Sequence, residues 1–289
     1  MRLMRHVTSI PCVILLVLAM IHPAGTINAA PPEGFTRTEW PGDWGEIVGV
    51  TPTGDGRFVA WEKAGRAWMV GPDGQASVEA MLDIRDEVGN WRDHGMLGLT
   101  VDPDFSSNGH VYVLYVVDRH HLLHAGTPEY DPTTDDYFSA TIGRITRYTT
   151  TPGSDGSVVD PASRTVLVGE TIDAGLPILH QSHAVGSLAF GRDGTLLASM
   201  GDSASYGQVD IGGQVDGGWV DQALKDGIIK GREDIGAFRA QLIDTLAGKI
   251  LRIDPATGDG VSSNPYFTAT APRIARSRIW CRGLRNGFR

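Results

Sequence analysis

Three times along the chain, a short apolar strand enters a polar turn and leaves as a second apolar strand. The copies cover residues 47–60, 97–113 and 188–199. Asp, Pro, Asn and Gly fill the turns, and these residues tolerate a chain reversal. Each copy is followed by a Gly-basic step that opens another apolar stretch. The steps are Gly65-Arg66, Gly143-Arg144 and Gly248-Lys249, and each stretch ends in a Pro/Gly/Asp turn. Antiparallel units repeated in this way are the blades of a β-propeller. A β-sandwich whose hairpins resemble one another by chance is the competing fold.

The two parts of the unit nearly abut in the first copy. Residues 117–140 separate them in the second and 203–246 in the third. Insertions of this kind project from a rigid scaffold, where binding sites lie. Within the third, residues 235–246 carry Phe238, Leu242, Ile243 and Leu246 at helical spacing, which predicts a helix. A fourth copy is expected to begin at Ser277-Arg278-Ile279-Trp280. The expected fold class is therefore all-β: a partial propeller of about three blades plus the start of a fourth. Each blade buries its faces against two neighbours, so such an arc is expected to be part of something larger.

Composition narrows the function. With 37 Gly and 16 Pro among 289 residues, turns outnumber long helical patterns. The formal charge of −9 argues against a nucleic-acid partner. Residues 1–30 read as a signal peptide: Arg2 and Arg5, then an apolar run too short to form a stable membrane span, then Ala24, Ala29 and Ala30. The expected location is secreted or periplasmic, with the propeller over 31–289. Cleavage would remove Cys12 and leave Cys281 alone, with no internal disulfide.

Four motifs in order give the chain a specific resemblance. Gly95-Met96-Leu97-Gly98-Leu99 precedes Asp102-Pro103-Asp104-Phe105, Asn108-Gly109 and Val111-Tyr112-Val113. His183, Gly186 and Leu188 precede Phe190-Gly191-Arg192-Asp193-Gly194 and Gly201-Asp202. Gly248-Lys249-Ile250-Leu251-Arg252-Ile253-Asp254 follows, then Asn264-Pro265, Ile279-Trp280 and Gly283-Leu284-Arg285-Asn286. This series resembles the PQQ-dependent soluble sugar dehydrogenases of the glucose/sorbosone dehydrogenase family, in its N-terminal half only.

The resemblance implies a six-bladed propeller with pyrroloquinoline quinone (PQQ) and Ca²⁺ at one end of its channel. It implies oxidation of an aldose at the anomeric carbon, with an electron acceptor as second partner. His183 aligns with the catalytic base, and a neutral imidazole suits proton transfer near neutral pH. Arg285 and Asn286 align with a cofactor-contacting pair, the guanidinium placed to stabilise charge on the quinone. Asp93 stands near the position of a substrate-binding Gln or Glu. The Ca²⁺ ligands and the basic residues holding the PQQ carboxylates align with none of these residues, so the metal ligands are unknown. The chain alone is expected to be weak or inactive.

Two other functions stay open: a non-catalytic secreted propeller used for binding, and a Ca²⁺-dependent lactonase-like hydrolase. His120, His121 and His124 have helical spacing, but Gly126, Pro128 and Pro132 nearby argue for a meandering loop rather than a zinc site. No phosphate loop or nucleophile elbow is present.

Overall fold

The computed structural model describes residues 30–213 and 218–288. The expected signal peptide lies outside the described residues, Ala30 excepted. The chain divides into two compact units, Met1–Glu39 and Trp40–Arg289. The described part of the first holds a turn closed by the Phe35 N–H on the Pro32 carbonyl at 3.0 Å. The sheets belong to the second.

The first repeat forms β1 (Ile47–Pro52), β2 (Phe58–Glu62), β3 (Arg66–Val70) and the short β4 (Leu82–Asp83). The second forms β5 (Met96–Val101), β6 (His110–Val116), β7 (Thr141–Thr150) and β8 (Val159–Val168), with β9 (Leu176–Ile178) added to β7. The third forms β10 (Val185–Phe190), β11 (Leu196–Met200), β12 (Lys249–Ile253) and β13 (Ile279–Arg282). Within each sheet, four consecutive strands pair antiparallel in sequence order. The architecture is that of an all-β, partial propeller.

The sheets stack face to face in chain order, β1 on β5 and β10 on β5 and β6. Strand β6 shows why. Its residues after His110 are all apolar and all buried. Side chains alternate across a strand, so a fully apolar strand must be covered on both faces. Val111, Val113 and Tyr115 join the core shared with the first sheet, while Tyr112, Leu114 and Val116 join the core shared with the third. Each large aliphatic side chain so buried contributes about 1.5–3 kcal/mol, well above the 0–1 kcal/mol of an exposed ion pair.

Three expectations need correction. Ser277–Trp280 does not open a fourth unit. Ile279 to Arg282 pair with β12 as the last strand of the third sheet, with Ile279 buried in its core. The expected helix over 235–246 is only a 3₁₀ turn, Gly236–Gln241, with Phe238 exposed and Arg239 buried. Polar contacts override the apolar stripe there, because Arg239 binds backbone carbonyls. The longest helix of that insertion is Val220–Asp226, ended by the left-handed Gly227.

The His120 region, expected as loop, begins as a short helix, Arg119–His124. The Asp118 carboxylate caps it by accepting from the N–H groups of His120 and His121. Arg119 then pairs with Asp226 at 2.6 Å, and Gln222 accepts from the Ala140 N–H at 2.6 Å. The two insertions are thereby tied together.

A candidate active-site cleft around His183

His183 sits in the turn entering β10 with φ 57°, a left-handed conformation that costs a non-glycine residue free energy. Arg92 (φ 49°) and Ser203 (φ 54°) share this conformation. Five non-glycine residues do so among the described residues, and three of them meet here. The Ser203 N–H donates to the His183 carbonyl at 3.1 Å and holds the turn. Gly201 makes the approach possible, since a Cβ there would lie 2.2 Å from the His183 oxygen.

The next residue is Asp202, at the end of β11 and 1% exposed. Its carboxylate lies 3.2 Å from His183 Nδ1. The Arg285 guanidinium donates to both of its oxygens at 2.9 Å. The Ala204 N–H adds a bond at 3.0 Å. Arg285 also donates to the Ser205 carbonyl at 2.5 Å. With Nδ1–H directed to the carboxylate, Nε2 of His183 is the nitrogen left to accept a proton.

Asp93, His183 and Asn286 line one open cleft of about 360 Å³, together with Arg92, Gln181, Ser182 and Tyr206. That volume falls within the range of small-molecule sites, about 300–1,000 Å³. The Asp93 carboxylate accepts from the His183 backbone N–H at 3.4 Å, and the Asp93 N–H donates to the Gln181 carbonyl at 3.3 Å. A larger cavity of about 480 Å³ is lined by charged groups that neutralise one another, as in Arg232–Asp244 at 2.7 Å and Arg273–Glu170 at 2.8 Å.

Neighbouring histidines differ in kind. His94 is fully buried, and burial lowers its pKa to about 4, so it is neutral at physiological pH. Its Nε2 lies 3.1 Å from the His180 carbonyl, under Trp91 and Trp219. His120 accepts from the Asp131 N–H, and His121 bonds the Tyr130 hydroxyl. Among the described residues, no group of three or more His, Cys, Asp or Glu side chains is placed to hold a metal.

The four candidates from the sequence thus converge, with one change of emphasis. Arg285 binds Asp202 first. Sequence reasoning also passed over Asp202 itself, quoted only within a motif, and Arg239, which is 1% exposed and donates to the Asp202 carbonyl oxygen at 2.9 Å. Gly201-Asp202 was the available signal for the first. Nothing marked the second, because a charged residue in an insertion reads as solvated.

The glucose/sorbosone dehydrogenase family profile matches residues 46–288, which covers both the sheets and the cleft. The chain belongs to this family. Among curated relatives of this dehydrogenase-family chain are the Hedgehog-interacting proteins of Homo sapiens and Mus musculus. Each is 28% identical over 162 residues, covering 54% of this chain and 20% of the relative.

Solved structures similar to the family member include a putative oxidoreductase (glucose dehydrogenase) from Thermus thermophilus. It has a TM-score of 0.53 and 22% identity, covering 83% of this chain and 52% of that one. Another is the PQQ-bound aldose sugar dehydrogenase of Streptomyces coelicolor, with a TM-score of 0.51 and 19% identity, covering 84% and 52%. The chain spans about half the length of these structures and about a fifth of the curated relatives. At such identities the structures speak for the fold alone.

Proposed function

We propose that the cleft is the active site of a PQQ-dependent aldose dehydrogenase, with His183 as the proton acceptor. The observation carrying this reading is the Asp202 carboxylate shared between His183 and Arg285 at the edge of a cleft of ligand size. Asp202 orients the imidazole, and Nε2 takes the proton of the sugar's anomeric hydroxyl. Asp93 accepts from a second sugar hydroxyl. Tyr206, 65% exposed in the cleft wall, offers an aromatic face to the ring.

The donor set fits an anionic quinone. Asn286 and Arg92 line the cleft and would bind its polar edge, and Arg285 adds positive charge beside them. PQQ, when bound, supplies the hydride acceptor. No described residue is assigned to Ca²⁺. The N-terminal pattern supports export as part of the same proposal, and no helix among the described residues is long and apolar enough to cross a membrane.

The test is reconstitution of the chain with PQQ and Ca²⁺, followed by dye reduction with a panel of aldoses. Sugar-dependent reduction that disappears in His183→Ala supports the reading. Sugar-dependent reduction that persists unchanged in folded His183→Ala contradicts it.

A second reading is favoured by the curated matches, both Hedgehog-interacting proteins: a secreted propeller that binds a protein partner. It gives no role to the buried Asp202 carboxylate behind His183. A pull-down from the extracellular medium that survives His183→Ala and Asp202→Asn, with no dye reduction by the unaltered chain, supports it.

A further inference from the structure

Behind the cleft, at the start of β12, Lys249 is completely buried and pairs with no carboxylate among the described residues. Its Nζ donates to three backbone carbonyls: Ala240 at 3.0 Å, Arg239 at 3.4 Å, and Ala247. A buried ammonium is costly unless its donors are matched, and here three N–H groups meet three acceptors.

Those carbonyls belong to the frame of the cleft. Arg239 donates to the Glu233 carbonyl at 2.8 Å and to the Asp202 carbonyl at 2.9 Å. The Ala240 carbonyl also accepts from the Gly283 N–H at 3.0 Å, two residues before Arg285. The Gly248 carbonyl accepts from Gly283 and Leu284, and the Gly248 N–H donates to the Gly201 carbonyl at 2.7 Å. Lys249 therefore stands where the backbone supporting Asp202 meets the backbone supporting Arg285.

We propose that Lys249 is a positioning residue for the His183–Asp202–Arg285 cluster, holding the segments that carry Asp202 and Arg285 in register. It touches neither ligand nor reacting atoms. The proposal rests on the dehydrogenase reading for its effect on turnover, but not for its effect on geometry.

Charge state gives the device a measurable signature. Burial lowers the Lys249 pKa to about 7. Of the charged groups facing it, Arg282 and Arg239 lower it further, while Asp244 and Glu233 oppose them. The neutral amine has two N–H donors for three carbonyls, so one acceptor is left unmatched as pH rises.

The test uses the full chain with Lys249→Met and Lys249→Gln, each confirmed folded by circular dichroism and a cooperative melt. NMR of ¹⁵N-labelled histidine reads the His183 ring, assigned through His183→Ala. In Lys249→Met the ring signals should move toward those of a free imidazole. Lys249→Gln, with two N–H donors, should lie between. In chain reconstituted with PQQ and Ca²⁺, kcat should fall about a hundredfold in the Met variant with KM little changed, as expected for a small misplacement.

A folded Met variant with unmoved ring signals overturns the proposal. Should neither variant fold, hydrogen exchange on the unaltered chain decides. Protection of the Gly283 and Leu284 amides, corrected for intrinsic rate, should drop at least about tenfold as pH rises through the Lys249 titration. Unchanged protection overturns the proposal. Sugar oxidation with unmoved ring signals sinks the positioning role alone. Moved ring signals in a chain whose sugar oxidation survives His183→Ala sink the dehydrogenase reading alone.

Discussion

Oδ1 of Asp202 lies 3.2 Å from Nδ1 of His183, and this bond joins the end of β11 to the turn entering β10. It separates His183 from the other histidines, because it fixes the ring nitrogen that faces chemistry. Asp202→Asn should therefore lower kcat by about a hundredfold to ten-thousandfold, as should His183→Ala. Melting temperature should change little in His183→Ala, whose ring lines a cleft rather than a core. Dye-linked turnover per folded molecule checks this. Normal turnover in folded His183→Ala would remove it as the base.

Gly201→Ala should abolish activity and destabilise the fold together. The added Cβ would meet the His183 carbonyl at 2.2 Å, and that contact is with backbone, which cannot swing aside. Thermal melts and turnover measured on the same sample are the check. A folded, fully active alanine variant contradicts the account of the turn.

Glu87→Gln should destabilise the chain by about 3–5 kcal/mol, the usual result of breaking a buried ion pair. Burial raises the Glu87 pKa, but Arg164 and Arg144 outweigh it and leave the pKa lowered overall. Oε1 accepts from Tyr115, Arg144 and Arg164, each at 2.5 Å. A lowered folded-state pKa means the stabilisation is present above the unfolded carboxylate value, about 4.3, and is lost as pH falls through the folded one. Denaturant melts of wild type and variant should differ at pH 7 and converge in acid. A constant gap across that range refutes the assignment.

Under the proposed export, the mature chain should begin near Ala30 or Pro31. The charged start, the short apolar run and the small residues before that point motivate this. Mass spectrometry of the exported product reads the N-terminus directly, and an intact Met1 in the cytosol defeats the prediction.

Sequence alone determined the repeat and the first three strands of each unit. The apolar run of β6 and the Pro-Asp-Gly turns are local signals, written in residues a few positions apart. The family resemblance also picked out His183, Arg285 and Asn286, which lie in motifs with fixed neighbours, and Asp93, which stands just before one. Tertiary structure decided what no local pattern encodes. Ile279 reads equally well as the first strand of a new unit or the last of the old one, and only its pairing with β12 chooses. The apolar stripe over 235–246 lost to the carbonyls that Arg239 must satisfy once buried. Asp202 came to stand behind His183 because residues 83 positions apart, it and Arg285, meet across a backbone that Lys249 holds from behind. Such a meeting depends on which acceptors remain unmatched after the sheets have stacked, and that balance exists only in the folded chain.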